Sequence, residues 1–200
     1  MATSLVPAVA TPGRDPARRG VVAVGTGLAI AAGIAFFGTL LGLYFATQDV
    51  SGPWRPDDLT LPNVALLVTY ATLLMSVFTA QWAVSAVRMR ERGQLGLAVG
   101  LSILLAAAFF NGLSFCWSQL GVGPGDNLTA TAVYAVTGAH ALGVLLAIVT
   151  FLVMSFRALG GQFGPRNAEF VQAAAAIWHW AAAVGVAVYL LVWFLEGMPR

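Results

Sequence analysis

The 200-residue sequence is 59% hydrophobic and 9% charged, with a formal net charge of +2 and one cysteine. A soluble domain carries about a quarter charged residues, so this composition excludes an ordinary water-soluble fold. The lone Cys116 excludes an internal disulfide and a paired-cysteine metal site, and the ten basic residues, all Arg, sit mostly at the ends of apolar runs, as topology signals rather than a nucleic-acid surface.

Residues 1–20 hold Pro7, Pro12, Pro16, Arg14, Arg18 and Arg19 but no apolar run of signal-peptide length, and they are expected to form a flexible tail. Residues 21–47 exceed the roughly 15 residues of a signal-peptide core and the about 20 that a spanning helix needs, so they read as a retained first span. Four further spans are expected at residues 61–87, 95–120, 128–158 and 167–195, with residues 196–200 as a short outer tail. The connections are short and rich in Pro and Gly, as in Gly123-Pro124-Gly125, which makes consecutive helices antiparallel neighbours. The expected fold is an all-α membrane protein, one five-transmembrane-helix bundle.

Orientation follows from the arginines. The tail (Arg14, Arg18, Arg19), the second loop (Arg88, Arg90, Arg92) and the fourth loop (Arg157, Arg166) hold eight, whereas Arg55 and Arg200 stand on the other side. The excess marks the cytoplasmic face, placing the N-terminus inside and the C-terminus outside. Small residues recur four apart at Gly38 and Gly42, Gly96 and Gly100, and Ala139 and Gly143, a spacing that lets helix backbones approach closely in lipid.

No Asp, Glu, Lys or Arg falls in the middle of a span; Glu169 opens the fifth and Arg88 closes the second. Pumps and proton-coupled carriers keep ionisable groups at depth, so a carrier mechanism has little to work with. The polar groups left at depth are His140, His179, Gln81, Asn111, Ser114 and Gln172. His140 falls roughly 18 Å and His179 roughly 24 Å from the outer ends of their spans at 1.5 Å per residue. Two histidines on adjacent helices at similar depth are what a haem with two imidazole ligands requires. The simpler reading is that each hydrogen-bonds across a helix interface, with Ala175, Ala176, Ala182 and Ala183 giving His179 a smooth face. Trp178, Trp180 and Trp193 read as lipid contacts or interface anchors.

Segments on all five expected spans resemble subunit III of the haem-copper oxidases. Gly33-Ile34-Ala35-Phe36-Phe37 running to Leu43-Tyr44-Phe45 is similar to that family's opening helix, and Leu61-Pro62-Asn63 leading to Leu66-Leu67-Val68-Thr69 to its next one. Phe109-Phe110-Asn111-Gly112 through Trp117 resembles its third segment. The segment from Thr137 to Val144 resembles Thr-Gly-Phe-His-Gly-Leu-His-Val, and Trp178-His179-Trp180 resembles Trp-His-Phe. The resemblance covers residues 21–195.

This resemblance implies the short five-helix bacterial form, with the N-terminus inside. It also implies a non-catalytic subunit of a cytochrome c oxidase in the bacterial inner membrane, packed beside subunit I and other oxidase subunits and holding membrane lipids in a cleft. Such a subunit carries no cofactor in its own chain; haem and copper are expected in the partner, and nucleic acid is not. His140, His179 and Trp178, with Gly38 and Gly42, become the expected lipid-binding or helix-packing residues. The pattern departs from the family at Gly33 and Cys116, where it has Glu, at Leu113 (Gln), Gly143 (His) and Ala182 (Asp), so a proton-supporting role through those carboxylates has lost its residues. A small cytochrome b-like protein with His140 and His179 as haem ligands, or a scaffold subunit of another membrane complex, remain as alternatives.

Overall fold

A computed structural model describes the backbone of residues 16–52, 54–55, 60–163 and 168–197, with side chains from residue 20 onward. Five helices carry the fold: α1 (Pro16–Ser51), α2 (Asn63–Met89), α3 (Arg92–Ser118), α4 (Leu128–Leu159) and α5 (Glu169–Val188). A π-helical turn at Tyr189–Phe194 and a final turn at Leu195–Gly197 extend α5. With that extension all five are long and apolar enough to cross a membrane. Helices are the economical solution in lipid, because each satisfies its backbone groups internally.

Local chemistry sets the ends. Proline at the first helical position has its φ already set for a helix, and Pro16 opens α1. Residues 16–20, expected in the tail, are therefore helical; the rest of that tail and residues 198–200 lie outside the described residues. Asn127 caps α4 by accepting a 2.6 Å hydrogen bond from the Ala130 N–H. Gly161, at φ 80°, ends it by letting Gln162 N–H return to the Arg157 carbonyl.

Helices α2 and α3 form a tight antiparallel pair, α5 packs between α2 and α4, and α1 lies against α4 and α5. One side-chain hydrogen bond or more ties most neighbouring pairs. Thr79 and Ser102 join α2 to α3 at 2.7 Å, and Trp117 Nε1–H donates to Thr137 of α4 at 3.2 Å. Trp178 Nε1–H donates to Ser76 of α2 at 2.8 Å, and Thr129 of α4 donates to the Gly52 carbonyl after α1 at 2.8 Å. Hydrogen bonds of this kind contribute about 0.6–2 kcal/mol each inside a membrane.

The closest helix approaches do not fall at the four-apart glycine pairs; of the third pair, Gly143 reaches only ordinary contact, 4.0 Å from the Phe37 ring. A Cβ at Gly38, Gly42, Gly96 or Gly100 would meet nothing within 4 Å, because these residues face outward. The close approaches fall instead at Gly33, under the Trp180 ring, at Gly112, against Thr69, and at Gly185, against His140 and Leu73. Packing inside the bundle is thus small-to-large, each glycine hollow receiving side chains from neighbouring helices.

Candidate functional site

The bundle centre is aromatic and holds one histidine. His140 of α4 is buried, with its ring stacked on Tyr70 of α2 at 5.9 Å between centroids. Phe109 of α3 and Phe37 of α1 meet it edge-on at 5.6 and 6.4 Å. All five helices meet here, because His140 Nε2 lies 3.0 Å from the Ala181 carbonyl of α5. A carbonyl only accepts, so Nε2 carries the proton and Nδ1 is the lone-pair nitrogen. Nδ1 is buried without a hydrogen-bond partner among the described residues. Gly185, one turn beyond Ala181, leaves room for the ring: a Cβ there would stand 3.1 Å from His140 Cε1.

His179 is differently placed. It precedes Ala181 by two residues, or about 200° around α5 at 3.6 residues per turn, and therefore leaves the helix on another side. Its ring is half-buried, with Nε2 enclosed and unpartnered among the described residues. The structure does not bring the two histidines together as axial ligands. Nε2 of His140 is already bonded to Ala181, and three aromatic rings crowd its imidazole. Among the described residues no three or more His, Cys, Asp or Glu side chains gather to hold a bare metal ion.

The tryptophans correct the reading as lipid or interface anchors. Trp178 is buried against Phe151 at 5.1 Å, and Trp193 is buried with its Nε1–H donating to the Tyr70 hydroxyl at 3.1 Å. Both rings turn inward because their N–H groups find acceptors across a helix interface, which apolar lipid does not offer. Trp180 is half-buried and covers Gly33, meeting Phe37 at 5.8 Å.

Sequence reasoning missed two features. Glu196, buried just past the π turn, accepts from the Tyr44 hydroxyl at 3.3 Å and from the Gln48 amide, fastening the end of the chain to the end of α1. Its only signal was a carboxylate placed directly after Trp193-Phe194-Leu195. The π turn itself, which brings Tyr189 within 5.7 Å of Tyr70, has no signature in residue type.

Comparison with known proteins agrees with this architecture. The chain is 26% identical over 201 residues to a probable cytochrome c oxidase subunit 3 of Nocardia farcinica, covering 94% of this chain and 98% of that one. It is 26% identical to cytochrome c oxidase subunit 3 of Corynebacterium diphtheriae over 90% of each chain. A Synechocystis protein of the same name is 27% identical over 86% of this chain and 74% of its own. The family profile described as Cytochrome c oxidase subunit III matches residues 17–196. With nine-tenths of its length inside that match and five spanning helices around an aromatic core, this chain belongs to the cytochrome c oxidase subunit III family.

Proposed function

We propose that the chain is the non-catalytic, subunit III-like component of a respiratory haem-copper oxidase, bound beside the subunit that carries haem and copper. The observation that carries this reading is the family match over residues 17–196. The interior supports it. Several of its polar groups make helix-to-helix bonds, as with Trp178 on Ser76 and His140 on Ala181. His140 and Trp178 act as helix-packing residues. Gly38 and Gly42 are lipid-contact positions on the outer surface, and half-buried His179 meets lipid only in part.

The membrane is the bacterial inner membrane, crossed five times with the N-terminus inside and the C-terminus outside, as the arginine excess supports. A periplasm-only reporter fused after Arg92 should be silent; strong activity there would invert the topology. The function itself is tested by gentle affinity purification from detergent-solubilised membranes followed by mass spectrometry. The haem-copper core should copurify. Recovery of the chain alone, under conditions where both are expressed, would remove the oxidase reading.

A further inference from the structure

Hydrocarbon solvates apolar surface well and an open amide poorly, so a polar side chain left on the outer face of a spanning helix marks a place where lipid is a bad neighbour. Hydroxyls avoid the cost locally. Thr39, Thr72 and Thr150 each return their proton to the carbonyl four residues back, at 2.9, 2.7 and 2.8 Å. A carboxamide, with two donors and an acceptor, has no such escape.

Among the described residues, two carboxamides stand exposed at hydrocarbon depth without a side-chain hydrogen bond: Asn111 of α3 and Gln81 of α2. Asn111 lies about 9 Å and Gln81 about 8 Å from the midpoints of their helices, inside a hydrocarbon half-thickness of about 15 Å. They occupy neighbouring antiparallel helices joined by the Thr79–Ser102 bond and so lie in opposite halves of the membrane, about 17 Å apart in depth. The Ser114 hydroxyl, three residues beyond Asn111, is exposed and makes no hydrogen bond either. The outward face of α1 at hydrocarbon depth, by contrast, is apolar with glycines, and its exposed hydroxyl there, Thr39, is satisfied within the helix.

The surroundings of Asn111 define what covers it. Gly93, Gly100, Ala107 and Ser114 recur every seven residues along α3, all exposed, and neither glycine has a neighbour within 4 Å. Leu97, Leu104 and Asn111 follow four residues behind the first three, also exposed. This is a heptad seam with small residues at one position and Leu, Leu, Asn at the other, the pattern into which a second helix packs. From Gly93 to Ser114 the seam runs about 32 Å at 1.5 Å per residue, the full thickness of the hydrocarbon. A single lipid spans only one half of that length, and an acyl chain offers Asn111 no hydrogen bond. Polar complementarity and length together select a membrane-spanning helix with a hydrogen-bonding side chain level with Asn111.

The geometry points to the α3 seam, centred on Asn111, as the surface on which a transmembrane helix of the haem-copper subunit docks. The identity of that partner rests on the function proposed above; the position of the seam does not. Small residues set how closely the incoming helix approaches, and Asn111 sets its register, as a single buried Asn does in coiled coils.

The test uses the assembled complex in native membranes. Photo-crosslinking side chains are introduced singly at Leu104 and Asn111 on the seam, and at Phe36 on α1 and Leu146 on α4. Adducts to the haem-copper subunit are expected from Leu104 and Asn111 and not from the other two. Adducts from Phe36 or Leu146 alone, a dimer of this chain from the seam, or no adduct although the core copurifies, would each overturn the assignment. Failure of the core to copurify at all would instead remove the oxidase reading. In parallel, Asn111→Leu should reduce the core retained per chain about three- to thirtyfold, the range of one intramembrane hydrogen bond. Gly100→Leu combined with Ala107→Leu should reduce it further. Gly100 has no neighbour for an added Cβ to strike and Ala107 is exposed, so unchanged thermal stability of the purified chain would assign that loss to docking. Full retention in both variants would refute the seam.

Discussion

His140 and His179 occupy neighbouring helices, and their surroundings are opposite in kind. Around His140, four other helices converge: rings from α1, α2 and α3, and from α5 a backbone carbonyl and the hollow at Gly185. His179 is only half-buried, and its enclosed Nε2 has no bond partner among the described residues. The contrast teaches that a histidine at membrane depth is held by shape as much as by charge. At His140 a single N–H to carbonyl bond orients a ring whose main contribution is to fill the point where the helices cross.

The comparison is broken or sharpened by substitution, from the largest expected effect downward. His140→Ala removes a buried ring from between Tyr70, Phe109 and Phe37. By analogy with other large-to-small core changes it should cost about 2–5 kcal/mol, read as a shift in denaturant titration of the purified chain in detergent. Equal destabilisation by His179→Ala would erase the distinction between the two sites.

Overpacking the same region comes next. Gly185→Val presses a side chain onto His140 and Leu73, and Gly33→Ala drives a methyl into the Trp180 indole; each should cost about 1–3 kcal/mol. The second cost should shrink when Gly33→Ala is combined with Trp180→Ala, because the two residues share one space. Strict additivity in that double variant would argue against the packing seen here.

Trp178→Phe keeps most of the ring and loses the bond to Ser76, an expected loss of about 0.6–2 kcal/mol. Smallest is His179→Ala, within about 0.5 kcal/mol as for other sites outside a packed core. The purified chain should also show no Soret absorption. A near-stoichiometric band lost on changing either histidine would restore the ligand pair that the packing of His140 opposes.

Much of this molecule was legible along the chain. The spans, their antiparallel order and the likeness to the oxidase subunit rest on apolar run lengths, short Pro- and Gly-rich loops and a few ordered motifs. Lipid makes such signals strong, since about 20 apolar residues must follow one another and each helix must satisfy its own backbone. His140 was legible as a buried polar group for the same reason: a polar side chain stands out in an apolar run.

What the tertiary structure alone decided was rotation and register. Helices that are apolar on nearly every side lack the one-sided pattern that tells a soluble helix which face to bury, so residue type did not reveal that Gly38 and Gly42 point outward while Gly33, Gly112 and Gly185 are filled. Nor did it reveal that Trp178 and Trp193 turn inward, or that His179 leaves α5 away from His140. Those outcomes follow from which hollow accepts which ring and which N–H finds a carbonyl, and that matching exists only once helices distant in sequence lie side by side.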